Sequence, residues 1–133
     1  MTHKMTYIVD DDKLTSKLAC MLISRANFGE EIVSFLNPQF ALDTLMQNTK
    51  DHSNLPDVIL LDLNMPVLDG WQFLDEFMLL PIQKKIAIFI VTSSIDPTDI
   101  EMFKKYSVVK DYIMKPLTTE KLKAIANKIE MID

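Results

Sequence analysis

The stretch "ILLDLNMPVLDGW", residues 59–71, decides the fold of this chain. It begins with aliphatic residues, and a continuous apolar run of this kind is typical of a strand that is buried on both faces of a parallel sheet. The run stops at Asp62, and the residues that follow predict a turn and then the first turn of a helix. Asp62 is therefore either a simple turn former or a carboxylate placed at a strand end for a chemical reason.

The same alternation of a short apolar run and a longer helical pattern occurs five times along the chain. We predict strands at the following positions: 5–10, 31–35, 57–62, 87–92 and 108–114. Strands separated by helices pair in parallel through right-handed crossovers, so the predicted fold is a doubly wound α/β sandwich with helices on both faces. The apolar stripes of the first and last helices are expected to lie on the sheet: Leu14, Leu18, Met21 and Leu22, and Leu122, Ile125, Ile129 and Ile132.

Composition limits the classes of protein to which the chain can belong. A length of 133 residues with 48% hydrophobic and 25% charged residues predicts one globular domain over residues 1–133. Cys20 is the only cysteine and is expected to be a small buried apolar residue. The sequence lacks an apolar run of membrane-spanning length and a signal peptide, which favours the cytoplasm. Fourteen basic against nineteen acidic residues give a net charge of −5, which argues against nucleic acid binding.

Polar residues follow four of the predicted strands. These residues are Asp10, Asp11 and Asp12, then Asp62 and Asn64, then Thr92, Ser93 and Ser94, and finally Lys115 and Pro116. The carboxyl ends of parallel strands share one edge of the sheet, and ligands of doubly wound folds bind there. Aspartates gathered at this edge would repel one another unless a cation compensates, and oxygen ligands favour Mg²⁺.

A metal-bound carboxylate, a hydroxyl group and a lysine together can carry out phosphoryl transfer, with Asp62 as the phosphoacceptor. The chain has only two glycines and no glycine-rich phosphate loop, so ATP is not the obvious phosphate donor. Each feature also has an ordinary explanation as a helix cap, a turn former or a surface lysine. Four such features at four strand ends on one edge are hard to explain by chance.

The order and spacing of "YIVDDD", "ILLDLNMPVLDG", "IVTSS" and "YIMKPL" resemble the receiver domain of two-component response regulators, of the stand-alone type. The resemblance covers essentially the whole chain and implies a flavodoxin-like (βα)5 fold with strand order 2-1-3-4-5. It implies that Asp62 accepts a phosphoryl group from a sensor histidine kinase or a histidine phosphotransfer protein. Beyond its own phosphorylation from a donor and slow autodephosphorylation, no enzymatic activity is expected.

The resemblance also implies a role for each matching residue. Mg²⁺, with Mn²⁺ as a substitute, would be held by Asp10 through water, Asp11, Asp62 and the backbone carbonyl of Asn64. The acyl phosphate would contact Thr92, Ser93 and Lys115, and the Lys115-Pro116 peptide bond would be cis. Asp12 matches no metal position and is expected to cap the first helix.

Signalling in the family implies that phosphorylation draws Thr92 inward and lets Tyr112 follow, which remodels the surface formed by helix four, strand five and helix five. The residues expected on this surface are Ile100, Phe103, Lys104, Tyr106, Tyr112 and residues of the last helix. For Ile100 and Phe103 a position in the core is an equal alternative. A downstream protein effector of unknown identity would dock on this surface, and the chain would be a monomer or a phosphorylation-dependent homodimer without contact to a membrane.

Three other classes share part of the pattern. A haloacid-dehalogenase-type phosphatase would need an aspartate two positions after its nucleophile, where this chain has Asn64. A flavodoxin-like electron carrier would need a hydroxyl- and glycine-rich loop after the first strand, where this chain has three aspartates. A pseudo-receiver that is never phosphorylated and serves as a protein-docking scaffold stays open as the main alternative.

Overall fold

The computed structural model of the chain describes residues 3–65 and 68–130. The strands are β1 (His3–Val9), β2 (Gly29–Phe35), β3 (Val58–Leu61), β4 (Ala87–Thr92) and β5 (Val109–Met114). The helices are α1 (Lys13–Arg25), α2 (Pro38–Gln47), α3 (Gly70–Met78), α4 (Pro97–Phe103) and α5 (Thr119–Glu130), with a short 3-10 turn at His52–Asn54.

All five strands pair in parallel in the order β2-β1-β3-β4-β5, which confirms the predicted fold. The central strands β3 and β4 are buried along their whole length. Successive residues of β3 point to opposite faces, so Ile59 packs in the core with α2 and α3, whereas Leu60 packs in the core with α1 and α5. Two apolar cores therefore hold the sheet, and its carboxyl-terminal edge is left for polar residues.

The helices begin where the sequence supplies a side-chain cap. Asp12 caps α1 by accepting a hydrogen bond from the Leu14 backbone N–H, as expected for this residue. Asp69 and Asp96 begin α3 and α4, each within a reciprocal capping box. These caps fix where each helix leaves the carboxyl-terminal edge of the sheet.

The prediction for the inner face of α1 was wrong for three of its four residues, whereas the fourth, Leu22, is half-buried and packs against the core as predicted. Leu14, Leu18 and Met21 are 65%, 50% and 44% exposed, so this apolar stripe points away from the sheet. The buried face carries three residues that no apolar stripe would indicate together: Ser16, Ala19 and Ile23. Small side chains at Ser16 and Ala19 let the helix lie close to the sheet, and the larger apolar residues are left outside.

The prediction for α5 holds over the described residues. Leu122 and Ile125 are buried, and Ile129 packs against the same core, while Ile132 lies outside the described residues. Cys20 is only partly buried, at the edge of that core. None of the helices within residues 3–65 and 68–130 combines the length and the apolar character that a membrane span requires.

Candidate functional site

Three aspartates meet at the carboxyl ends of the neighbouring strands β1 and β3. Asp10, Asp11 and Asp62 can each bring one carboxylate oxygen within 4.8 Å of the others. Asp10 and Asp62 are buried, whereas Asp11 is exposed. The predicted acidic cluster therefore exists, and it combines a buried floor with one open side.

Backbone hydrogen bonds place the two buried aspartates. The Asp62 N–H donates to the Val9 carbonyl at 2.9 Å, which continues the β1–β3 ladder to the site. The carboxylate of Asp10 accepts a hydrogen bond of 2.9 Å from the Asp12 N–H. The Ser16 hydroxyl donates to the Asp10 carbonyl at 3.1 Å and so ties the loop between β1 and α1 to the helix. The sequence analysis missed Ser16, although a small polar residue on the inner face of a helix is a usable signal.

Lys115 brings a positive charge to the acidic cluster. Its Nζ lies 2.9 Å from Asp10 Oδ2 and 3.6 Å from Asp62 Oδ1. Its backbone N–H donates to the Thr92 carbonyl at 2.8 Å, and the peptide bond from Lys115 to Pro116 is cis, as the resemblance implies. In this state the lysine is thus closest to Asp10, and it can compensate only part of the charge of three carboxylates.

The electrostatics of the site follow from this imbalance. Burial raises the pKa of Asp62, and the negative charge of Asp10 raises it further, while Lys115 only partly opposes the shift. For Lys115, burial lowers the pKa, but the hydrogen bond to Asp10 and the charges of Asp10 and Asp62 outweigh it, so the net pKa is raised. Lys115 is therefore held in its charged form, and it balances only part of the negative charge around Asp62.

The donor set fits a hard divalent cation. Carboxylate oxygens from Asp10, Asp11 and Asp62 are the ligand type that Mg²⁺ prefers, and they converge on one point. Asn64 is on the same loop, and its N–H donates to Asp62 Oδ1 at 3.3 Å. Asp12 is not part of the cluster, because its carboxylate caps α1.

Thr92 closes the site at the end of β4. The residue is fully buried, and its hydroxyl donates to the Ser94 carbonyl at 2.9 Å. The same hydroxyl accepts a hydrogen bond of 3.3 Å from Asn64 Nδ2. Ser93, the next residue, is exposed. Thr92 and Asn64 therefore link the β4 end to the Asp62 loop through side chains.

The surface of α4 and β5 agrees with the expectation in part. Tyr112 is 39% exposed and stacks on the half-buried Phe103, and Ile100 and Lys104 are exposed. Tyr106 was expected on this surface, but it is buried. The reason is a 2.7 Å hydrogen bond from its hydroxyl to Asp75, which draws the ring toward α3 and raises the pKa of Tyr106 to about 12.

A groove of about 480 Å³ runs from the acidic cluster along α1. Asp10, Asp62 and Lys115 line it, together with Leu18 and Met21 of α1. Pro116 and Leu117 of the β5–α5 loop also line it. The groove therefore connects Asp10 and Asp62 with Leu18 and Met21 of the apolar stripe of α1.

Comparison with known proteins agrees with the geometry. Residues 6–127 match the response regulator receiver domain family. Response regulator Rcp1 of Synechocystis sp. is 30% identical over 98 residues, which are 73% of this chain and 67% of that protein. The match spans most of the chain, so the chain belongs to the family of response regulator receiver domains of two-component systems.

Solved structures show the same relationship. The crystal structure of a two-component response regulator from Cytophaga hutchinsonii has a TM-score of 0.87 at 28% identity and covers 98% of this chain and 99% of its own. The phosphorylated cyanobacterial phytochrome response regulator RcpA has a TM-score of 0.66 at 29% identity, covering 97% of this chain and 92% of its own. Both share the doubly wound fold found here.

Proposed function

We propose that Asp62 accepts a phosphoryl group from the phosphohistidine of a sensor histidine kinase or histidine phosphotransfer protein. The observation that carries the proposal is a buried carboxylate at the end of a central strand, held beside two further aspartates and Lys115 in an open groove. The similar protein RcpA is described as phosphorylated, which supports the same chemistry here.

The transfer step is a displacement at phosphorus. A carboxylate oxygen of Asp62 attacks the phosphorus atom, a P–O bond forms and the P–N bond to the donor imidazole breaks. The leaving imidazole nitrogen keeps the bonding electron pair and takes a proton from solvent. Later attack by water on the acyl phosphate releases inorganic phosphate and restores the carboxylate, so the phosphoryl group stays on the protein for a limited time.

The negative charge of the site must be reduced before a phosphoryl group can approach. Asp10, Asp11, Asp62 and the Asn64 carbonyl would hold Mg²⁺, or Mn²⁺ in its place. When bound, the ion supplies positive charge that offsets the carboxylates and the phosphoryl oxygens. Lys115, already 3.6 Å from Asp62, would exchange part of its contact with Asp10 for a contact with the phosphoryl group.

Phosphorylation would then act on the surface of α4, β5 and α5. A phosphoryl group adds a charge of about −1.5 to −2 and three acceptor oxygens next to the Thr92 hydroxyl. Thr92 would give up its hydrogen bond to the Ser94 carbonyl in exchange for one to the phosphoryl group. This would alter the β4–α4 loop and the position of Tyr112, and thereby the docking of an effector protein.

The exposed stripe of α1 is where we place the phosphodonor. Leu14, Leu18 and Met21 lie on the helix that borders the groove, and an apolar surface beside a reactive group is a natural contact for a partner helix. The imidazole of the donor must come within bonding distance of Asp62, so the partner has to cover this groove. Residues 1–133 would then act as one cytoplasmic receiver domain, either a monomer or a phosphorylation-dependent homodimer, whose only reactions are its own phosphorylation and slow dephosphorylation.

The experiment is to incubate the full chain with Mg²⁺ and a small acyl-phosphate donor and to read the intact mass. The proposal predicts one added phosphoryl group that hydroxylamine removes, and none on Asp62→Asn. Asp12→Asn is the matched control, because this aspartate caps α1 outside the cluster, and it should take up the group as the wild type does. Uptake by Asp62→Asn would refute the assignment. No uptake by the wild type, with the fold intact, would favour the docking scaffold.

The docking face has a separate test. Leu18→Asn should slow transfer from a phosphorylated histidine phosphotransfer domain by about tenfold, because the apolar contact is lost, yet leave uptake from the small donor unchanged. Met46→Asn, at an equally exposed position on α2, serves as the control. Equal slowing by both variants, or by neither, would contradict the placement of the partner on α1.

A further inference from the structure

Four aromatic side chains from three elements and a loop are in contact on the α3 and α4 side of the sheet. Trp71 is on the first turn of α3, Phe103 ends α4, Tyr106 follows in the loop, and Tyr112 is on β5. The ring centroids of Trp71 and Tyr106 are 5.5 Å apart, and those of Trp71 and Phe103 are 5.3 Å apart. Phe103 in turn stacks on Tyr112 at 5.0 Å with the rings nearly parallel.

One end of this aromatic chain is fixed. Tyr106 is buried, and its hydroxyl donates to Asp75 on α3 at 2.7 Å. The Trp71 indole therefore lies against a ring that is itself anchored to the same helix. Phe103 is held by Trp71 on one side and contacts the exposed Tyr112 on the other. Ring pairs of this kind stabilise a side-chain position beyond what apolar burial alone contributes.

The amino-terminal end of α3, which carries Trp71, touches the phosphoacceptor loop. A Cβ atom on Gly70 would lie 2.8 Å from Leu63 Cα and 2.9 Å from the Asp62 carbonyl oxygen, so only glycine permits this approach. The Gly70 N–H also donates to the Leu63 carbonyl at 2.9 Å. A shift of the backbone at residues 62 and 63 must therefore move the first turn of α3, and Trp71 with it.

We propose that Trp71 and Phe103 are positioning residues that hold the Tyr112 ring on the outer surface and couple it, through α3, to the backbone of the Asp62 loop. The proposal rests on the proposed function for its signal, and it adds a route that does not pass through Thr92. Loss of the Phe103 stack would free Tyr112, and movement of Tyr112 would in turn be felt at Trp71.

The contacts from Trp71 through Phe103 to Tyr112, which we call the aromatic bridge, can be tested without phosphorylation, because Trp71 is the only tryptophan in the sequence. Acrylamide quenching of its fluorescence should increase about twofold in Phe103→Leu, since a ring that covers the indole is removed. Tyr112→Leu should also increase the quenching, although less, because Phe103 loses its outer partner. Phe40→Leu, at an exposed phenylalanine of α2, is the matched control and should leave the quenching unchanged. Phe103→Tyr keeps a ring and should restore the wild-type value.

A second arm measures the coupling to Asp62. Phosphorylation of the wild type should change the Trp71 emission, and Phe103→Leu should lose more than half of that change while taking up the same amount of phosphoryl group by mass. Phe103→Tyr should recover it. A Trp71 signal that Phe103→Leu leaves intact, or a wild-type signal that phosphorylation does not move, would overturn the coupling. Wild-type quenching in Tyr112→Leu would overturn the bridge itself.

The two arms separate the inference from the proposed function. Absence of phosphoryl uptake would refute the proposed function, and the quenching of the unphosphorylated variants would still decide whether the aromatic bridge exists. Normal uptake with an unresponsive Trp71 would refute the coupling and leave the phosphoacceptor assignment in place.

Discussion

Two aspartates stand at opposite ends of the same buried strand, and their surroundings differ. Asp57 precedes β3, and its carboxylate accepts a hydrogen bond of 3.0 Å from the Met5 N–H and pairs with Lys84 at 3.0 Å. Lys84 also donates to the carbonyls of His52 and Leu55, at 2.9 Å each. The amino-terminal end of β3 is thus tied to β1 and to the 3-10 turn by groups whose charges balance.

Asp62, at the carboxyl-terminal end, lies in a cluster with a surplus of negative charge. Lys115 approaches it at 3.6 Å but is closer to Asp10, and Asp11 adds a third carboxylate. Charged groups that are paired in full contribute to the fold, whereas a buried surplus of one sign is a cost that a ligand can relieve. From this contrast we expect a structural role for Asp57 and a binding role for Asp62.

The largest effect on stability is expected at the amino-terminal end of β3, where the charges of Asp57 and Lys84 balance. Lys84→Met should lower the free energy of unfolding by about 2–3 kcal/mol, because Asp57 and two carbonyls lose a charged donor. Urea unfolding measures this, and phosphoryl uptake at Asp62 should be unchanged. Lys85→Met, at the exposed neighbouring position, provides the control and should cost little. If Lys84→Met lowers the free energy of unfolding no more than Lys85→Met does, the contacts of Lys84 do not stabilise the fold.

A smaller effect is expected when a cation relieves the surplus. At about ten times its dissociation constant, Mg²⁺ should raise the free energy of unfolding by about 1.4 kcal/mol. The gain should shrink in Asp11→Asn, which removes one carboxylate from the cluster, and persist in Asp12→Asn. Thermal unfolding across a Mg²⁺ titration gives the answer, and equal gains in both variants would mean that the ion binds elsewhere.

The smallest effect is expected from removing the charge of Asp62 without a metal. The pKa of Asp62 is raised in the folded protein, so the folded state keeps this proton over a pH interval in which the unfolded chain has released it. The free energy of unfolding therefore falls as the pH rises through that interval. Asp62→Asn should remove this dependence and raise the free energy of unfolding of the metal-free protein at neutral pH. Destabilisation in urea would show that the charge at Asp62 is already balanced.

Much of the fold could be predicted because its signals are local. Continuous apolar runs identified β3 and β4, and the polar residues after four of the strands identified the edge where Asp10, Asp11 and Asp62 meet. Parallel pairing then brings residues that are distant in sequence to one place. The strand order followed from resemblance to a family, and the structure agrees with it.

The remaining features depend on contacts that a single element does not encode. The apolar stripe of α1 predicted burial, but the helix packs through the small residues Ser16 and Ala19, and the stripe faces solvent. Tyr106 appeared to belong to an exposed surface until its hydrogen bond to Asp75 placed it inside. The hydrogen bonds from Lys84 to the carbonyls of His52 and Leu55 join residues that are 29 to 32 positions apart in the sequence. No local pattern could have indicated them.

The most direct measurement is a carbon-detected NMR titration of the aspartate side chains with Mg²⁺ across pH. The account predicts that the carboxyl signals of Asp10, Asp11 and Asp62 move on addition of Mg²⁺ while that of Asp57 stays in place. It also predicts that Asp62 titrates above the ordinary range without the ion and lower with it. An Asp57 signal that moves as much as that of Asp62, or an Asp62 pKa that is ordinary and insensitive to Mg²⁺, would contradict the assignment of a binding role to one end of β3.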